Sequence, residues 1–177
     1  MKSNGYNGTS VKDIVDAAGV PKGSFYNYFD SKESFAVEAL EAVATEQINS
    51  SHNLISVMSS DASPMQRLHQ FFSQNAAMAC DAEFKVGCFF GNMCQEMSDN
   101  NEAIRKKVRH GLDYQTEIIQ VVLDQAKEAG EISCDCKTET IAEFILNAWE
   151  GALMRMKATK SRQPLDAFLD MLPHIIK

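Results

Sequence analysis

Between Thr9 and Lys32 this 177-residue chain gathers side chains of one chemical kind, short donors that suit phosphate oxygens and the edges of bases. Lys22 offers an ammonium. Thr9, Ser10 and Ser24 offer hydroxyls, Tyr26 and Tyr28 phenols, and Asn27 a paired donor and acceptor. Hydroxyls and ammonium groups bind phosphate, an amide suits adenine, and an ammonium suits a guanine edge. Gly23 permits close approach of the backbone to a surface, at some cost to helix stability. Each of these residues also has a plain reading as solvated surface. For Asn27 neither reading is favoured.

Two short helices and a turn must position that set. Val11, Ile14 and Val15 have helical spacing, with Thr9 as the expected cap and Ser10 beside it. Ala17-Ala18-Gly19-Val20 is a small-residue turn, and Pro21 suits the first turn of a second helix, where its missing N–H costs nothing. The pattern is a helix-turn-helix, whose second helix is shaped for the major groove of DNA. Phe25 and Phe29 are four apart and share a face. With Val11, Ile14, Val15 and Val20 they are expected in the core, which turns Tyr26, Asn27 and Tyr28 outward.

Charge is distributed to match. The chain carries 17 basic and 24 acidic residues, a net of −7, yet residues 1–32 alone are at +1 and the remainder at −8. An acidic body repels DNA and orients the weakly basic face towards it. Non-specific affinity should be modest. No apolar run is long enough to span a membrane, and the first ten residues lack a signal-peptide core.

The rest reads as helix throughout. Ser31 or Asp30 caps a long helix expected to reach about Val57, and Ser59 to Pro64 break it. Pro64 starts a helix with Leu68, Phe71, Phe72 and Ala76. Residues 84–87 form a loop, and a short apolar helix covers 88–97. Ser98 or Asp99 caps the next, which ends at Gly130. Thr138 to about Thr159 and a helix opened by Pro164 finish the chain. These last two are very apolar for terminal elements, and a twofold dimer would bury the same patch on two copies.

Enzyme chemistry finds little support. His52, His69, His110 and His174 are scattered, with no nucleophile–base or metal-helix spacing and no phosphate-binding glycine loop. The five cysteines are odd in number and lack a secretory context, which points to a reducing cytoplasm. Cys134-Asp135-Cys136 is not a zinc-type pair. No metal site and no cofactor are expected.

The block GYNGTSVKDIVDAAGVPKGSFYNYFDSKESF resembles the TetR family of transcriptional regulators. It is carried by Gly5-Tyr6 ahead of Thr9, the Ala18-Gly19-Val20 turn, Lys22-Gly23-Ser24-Phe25-Tyr26-Asn27-Tyr28-Phe29, and Ser31-Lys32-Glu33. The resemblance implies an all-α fold of nine helices. A DNA-binding domain would occupy 1–34, and an effector-binding and dimerisation domain 35–177. It implies a repressor released from a palindromic operator by a small molecule, a homodimer through the last two helices, and Lys32 on a phosphate. It also implies a helix ahead of Gly5, so the support expected for the helix-turn-helix would lie before Met1. A module of the same fold that has lost DNA binding is the alternative.

On that resemblance, effector contacts are expected from Phe72, Cys88, Phe89, Asn92, Gln95, Tyr114 and Trp149. Aromatic stripes at helical spacing are also what a plain core looks like. Cys88 follows Gly87 at a helix start, where the dipole favours thiolate. Gly-Cys at that point resembles a branch of electrophile- and oxidant-sensing repressors, in which Lys157 would be the ammonium that lowers the thiol pKa. A non-covalent effector, with Cys88 merely packed, is the other reading.

Overall fold

The computed structural model describes residues 1–56 and 62–175, and the side chains of all these except 49–56. The described residues are all-α. Turns over the first eight residues lead into α1 (Val11–Ala18), α2 (Lys22–Phe25) and α3 (Lys32–Ser56). Then come α4 (Pro64–Asp81), α5 (Phe89–Met97), α6 (Glu102–Glu128), α7 (Thr138–Thr159) and α8 (Gln163–Met171), closed by a 3-10 turn over Leu172–His174. The expected end at Val57 and the break over Ser59 to Asp61 fall outside the described residues.

Local chemistry sets these boundaries. Gly19 takes φ +66° as α1 ends, and Val20 N–H reaches back to Val15 O at 3.0 Å, so the last carbonyls find donors. Gly130 repeats the device at φ +74° beyond α6. Ser63 and Gln66 form a reciprocal capping box across Pro64, the first residue of α4. The cap of α6 differs from expectation. Ser98 and Asp99 stay in a turn, and Asn101 Oδ1 accepts the Ile104 N–H at 3.0 Å instead. Asn101 stands three residues before that amide, where its carbonyl oxygen reaches an otherwise orphaned donor.

The chain forms two compact units. One holds residues 1–46 and 88–111, the other 47–87 and 112–177. In the first, Leu40, Phe90, Met93 and Ile104 are fully buried. In the second, Leu68, Phe72, Leu123, Ile145, Met156 and Leu165 fill the centre.

Gly111 in α6 faces Phe90 in the first unit. A Cβ there would stand 2.5 Å from Cδ1 and Cζ of a ring that is 0% exposed. Alanine would gain about 1 kcal/mol of helix propensity. Overpacking a close-fitted core costs about 1–3 kcal/mol. The second effect should win, so Gly111→Ala is expected to lower the urea-unfolding free energy by up to about 2 kcal/mol; a raised midpoint would show that the ring moves aside freely.

Candidate functional site

The helix-turn-helix is built on α1 and α2. Ser10, not Thr9, caps α1. Its side chain accepts from Asp13 N–H, and the Asp13 carboxylate accepts the Ser10 N–H at 2.7 Å. Thr9 is buried instead, at 4% exposure, and its hydroxyl donates to Gly5 O at 2.7 Å. Ser10 has the extended backbone a cap needs, whereas Thr9 closes the preceding turn. That hydroxyl is therefore spent inside the protein, while Ser10 remains at the surface.

The recognition segment is shorter than the sequence implies. Pro21 is the cap of α2, one residue ahead of the helix, and after Phe25 the chain turns through Tyr26 to Tyr28. Phe25 is 3% exposed and packs on Phe29 at 5.2 Å and Phe35 at 5.9 Å. With Phe25 inward, Tyr26 and Tyr28 stand at 58% and 79% exposure, and Asn27, Lys22 and Gly23 are exposed with them. Nothing lies within 4 Å of where a Gly23 Cβ would be, so the backbone there is open to a partner surface. Ser24 is half-buried. Val20, expected in the core, is 43% exposed, because it follows the left-handed Gly19 that has already turned the chain off the α1 axis.

Lys32 works from beneath this face. Its ammonium donates to Tyr6 O and Thr9 O, each at 2.9 Å, and lies 4.0 Å from the centre of the Tyr6 ring. Two of its three N–H donors are thus taken by backbone carbonyls. Tyr6, 5% exposed, donates its hydroxyl to Glu33 Oε1 at 2.7 Å. Burial first, then the Glu33 carboxylate, holds that phenol above its ordinary pKa. In return the Tyr6 hydroxyl holds Glu33 below the usual carboxylate range. Glu96 of α5, not foreseen from sequence, accepts the N–H groups of Tyr6 at 3.2 Å and Asn7 at 2.6 Å. Gly5 makes that possible. It sits at φ +72°, and a Cβ would overlap the Glu96 carboxylate. Glu96 is 90 residues from its partner in sequence, so no local pattern pointed to it.

Lys22 and Lys32 should therefore behave differently. Lys32→Met strips two carbonyls of a charged donor and is expected to cost about 2 kcal/mol in denaturant unfolding. Lys22→Ala, on an exposed side chain, should stay within about 0.5 kcal/mol. Equal stability of the two variants would contradict a structural role for Lys32.

The expected effector residues fall in both units. In the first unit Cys88 caps α5, its sulfur accepting the Gly91 N–H at 3.5 Å. Phe89 is buried, Asn92 half-buried and Gln95 exposed. In the second unit Phe72, Trp149 and Phe168 pack ring on ring at 4.9–5.1 Å. Tyr114 and Lys157 are half-buried there.

On the other side of α7, Phe144, Ala148, Gly151, Arg155 and Thr159 form a stripe at spacings of three and four, and with Pro164, Ala167 and Met171 of α8 they line an open groove. Phe144 and Met171 are each 57% exposed, and nothing stands within 4 Å of a Gly151 Cβ.

Residues 1–39 match the family model for bacterial regulatory proteins of the tetR family, and residues 64–172 match the tetracyclin repressor-like C-terminal domain. The HTH-type transcriptional repressor DhaR of Mycobacterium sp. (strain GP1) is 35% identical over 170 residues, covering 95% of this chain and 82% of its own. The crystal structure of the regulatory protein TetR from Rhodobacter sphaeroides superposes with a TM-score of 0.90 at 28% identity, over 99% of this chain and 92% of that one. The reduced form of NemR from E. coli gives 0.85 at 25% identity, over 99% and 90%. These relatives are regulators. No described helix is long and apolar enough to cross a membrane. With its capped α1, its left-handed Gly19 turn and its outward Lys22-to-Tyr28 face, the chain belongs to the TetR family and is a DNA-binding transcriptional regulator.

Proposed function

We propose that the protein is a cytoplasmic repressor that binds a palindromic operator as a homodimer and is released by a small-molecule effector. The observation that carries this is the exposed face of Lys22, Gly23, Tyr26, Asn27 and Tyr28 above a buried Phe25. Such a face has donors for phosphate and base edges and little reason to be apolar-backed and outward otherwise. Ser10 and Ser24 flank it, and Thr9 and Lys32 hold its supporting backbone. The DNA-binding part is residues 1–34. The remainder binds the effector and, through α7 and α8, the second copy. Two twofold-related faces then read half-sites one helical turn apart. A gel shift on duplex from upstream of its own gene tests this: wild type should retard the fragment, and a protein that shifts it no better than unrelated duplex would refute the reading.

Phe72, Phe89, Asn92, Gln95, Tyr114 and Trp149 are the proposed effector contacts. One observation favours a covalent version. Cys88 places its sulfur at the N-terminus of the nine-residue α5, where a thiolate is favoured. Lys157 enters this version by resemblance, and the reduced form in which the E. coli NemR was solved suits it. N-ethylmaleimide should then release wild type from DNA and leave Cys88→Ser bound. Equal release of both would remove Cys88 from the mechanism.

A further inference from the structure

Cys134 and Cys136 lie in the non-helical connector between α6 and α7, which no part of the DNA or effector reading uses. The connector is held at both ends. Glu131 accepts the Ser63 hydroxyl at 2.9 Å and the Met65 N–H at 3.2 Å, and the Thr138 hydroxyl donates to Asp124 at 2.6 Å. Between these points the two cysteines are separated by one residue, in backbone that is neither helix nor strand. Only Asp135 stands between the two thiols in sequence. Cys136 is exposed and Cys134 half-buried. The result is an accessible dithiol on a fixed strap.

We propose that Cys134 and Cys136 form a two-point binding site for monosubstituted trivalent arsenicals. Among the described residues no group of three or more His, Cys, Asp or Glu side chains stands together as a metal site. The pair therefore offers two sulfurs and no third ligand. A cation that wants three or four protein ligands is poorly matched. An arsenic that already carries one carbon needs two sulfurs and no more. The step balances without an oxidant. An organoarsenic oxide gains two As–S bonds and loses its As–O bond, both thiol protons leave with that oxygen as water, and arsenic stays trivalent. The neighbouring Cys134 raises the pKa of the Cys136 thiol, first through hydrogen bonding and then through its charge.

The test uses the full chain and phenylarsine oxide, with excess glutathione as a monothiol competitor. Intact mass should show one phenylarsenic group gained and one water lost per chain, kept through the glutathione challenge and removed by 2,3-dimercaptopropanol. Trypsin should place the adduct on the single peptide from 128 to 137, which holds both thiols. Cys134→Ser and Cys136→Ser should each lose glutathione-resistant retention, while Cys88→Ser keeps it. An adduct on any other peptide, no resistant adduct in wild type, or full retention in either connector variant would overturn the proposal. The peptide map decides even where a variant folds poorly.

Discussion

Phe144→Asp is expected to yield a folded monomer that no longer shifts operator DNA. Phe144 is 57% exposed within its own chain, so the substitution should change the protomer's stability by no more than about 0.5 kcal/mol. In a twofold dimer the same change is made on both sides of the contact. Burying a Phe side chain contributes about 1.5–3 kcal/mol, so two lost copies amount to about 3–6 kcal/mol. That weakens dimerisation by roughly 100- to 10,000-fold, before the cost of an unpaired carboxylate in an apolar seam. Sedimentation velocity over a range of concentrations reads this directly. Gly151→Arg is an independent check, since no side chain among the described residues lies within 4 Å of the new Cβ, whereas a second helix packed on the stripe would be pushed away. If both variants keep the wild-type concentration dependence, α7 and α8 do not form the interface.

The second large effect belongs to the recognition face. Tyr26→Ala combined with Lys22→Ala removes two exposed contacts from each protomer and leaves Phe25 in place. Four contacts per dimer at about 1 kcal/mol each amount to about 4 kcal/mol, a loss of roughly 1,000-fold in affinity. The body of the protein is acidic, so there is little general attraction to compensate. Loss of one phosphate-binding lysine per protomer should also lower the salt dependence of binding by about two ions per dimer. An affinity loss with unchanged salt slope would assign Lys22 to a base edge rather than a phosphate.

The parts of the molecule that were legible in sequence are those governed by short-range chemistry. Gly19 and Gly130 as helix terminators, Pro64 at a helix start, and the inward Phe25 against outward Tyr26 and Tyr28 all follow from residues within one turn of each other. The other features depend on which of several suitable partners a side chain meets. Thr9 has the right type for a cap, but its hydroxyl reaches Gly5 O inside the turn, and Ser10 takes the role. Lys32 has the right type for a phosphate contact, and its added hold on the carbonyls of Tyr6 and Thr9 had no local signal. Glu96 holding the amides of Tyr6 and Asn7, and Gly111 making room for Phe90, depend on contacts between distant segments that no periodicity encodes. Phe72 and Trp149 illustrate the remaining ambiguity. Their spacing suited an effector contact or a core, and their rings pack against each other and Phe168.

The most direct test concerns the face formed by Lys22 to Tyr28. The wild-type protein selects its preferred duplex from a random-sequence pool. The Tyr26→Ala, Lys22→Ala protein is then titrated against that duplex at one fixed salt concentration, after both proteins are shown to melt at the same temperature. The prediction is a loss of affinity of roughly 1,000-fold with the fold and the dimer unchanged. Equal affinity of the two proteins would mean that DNA is read elsewhere on the molecule.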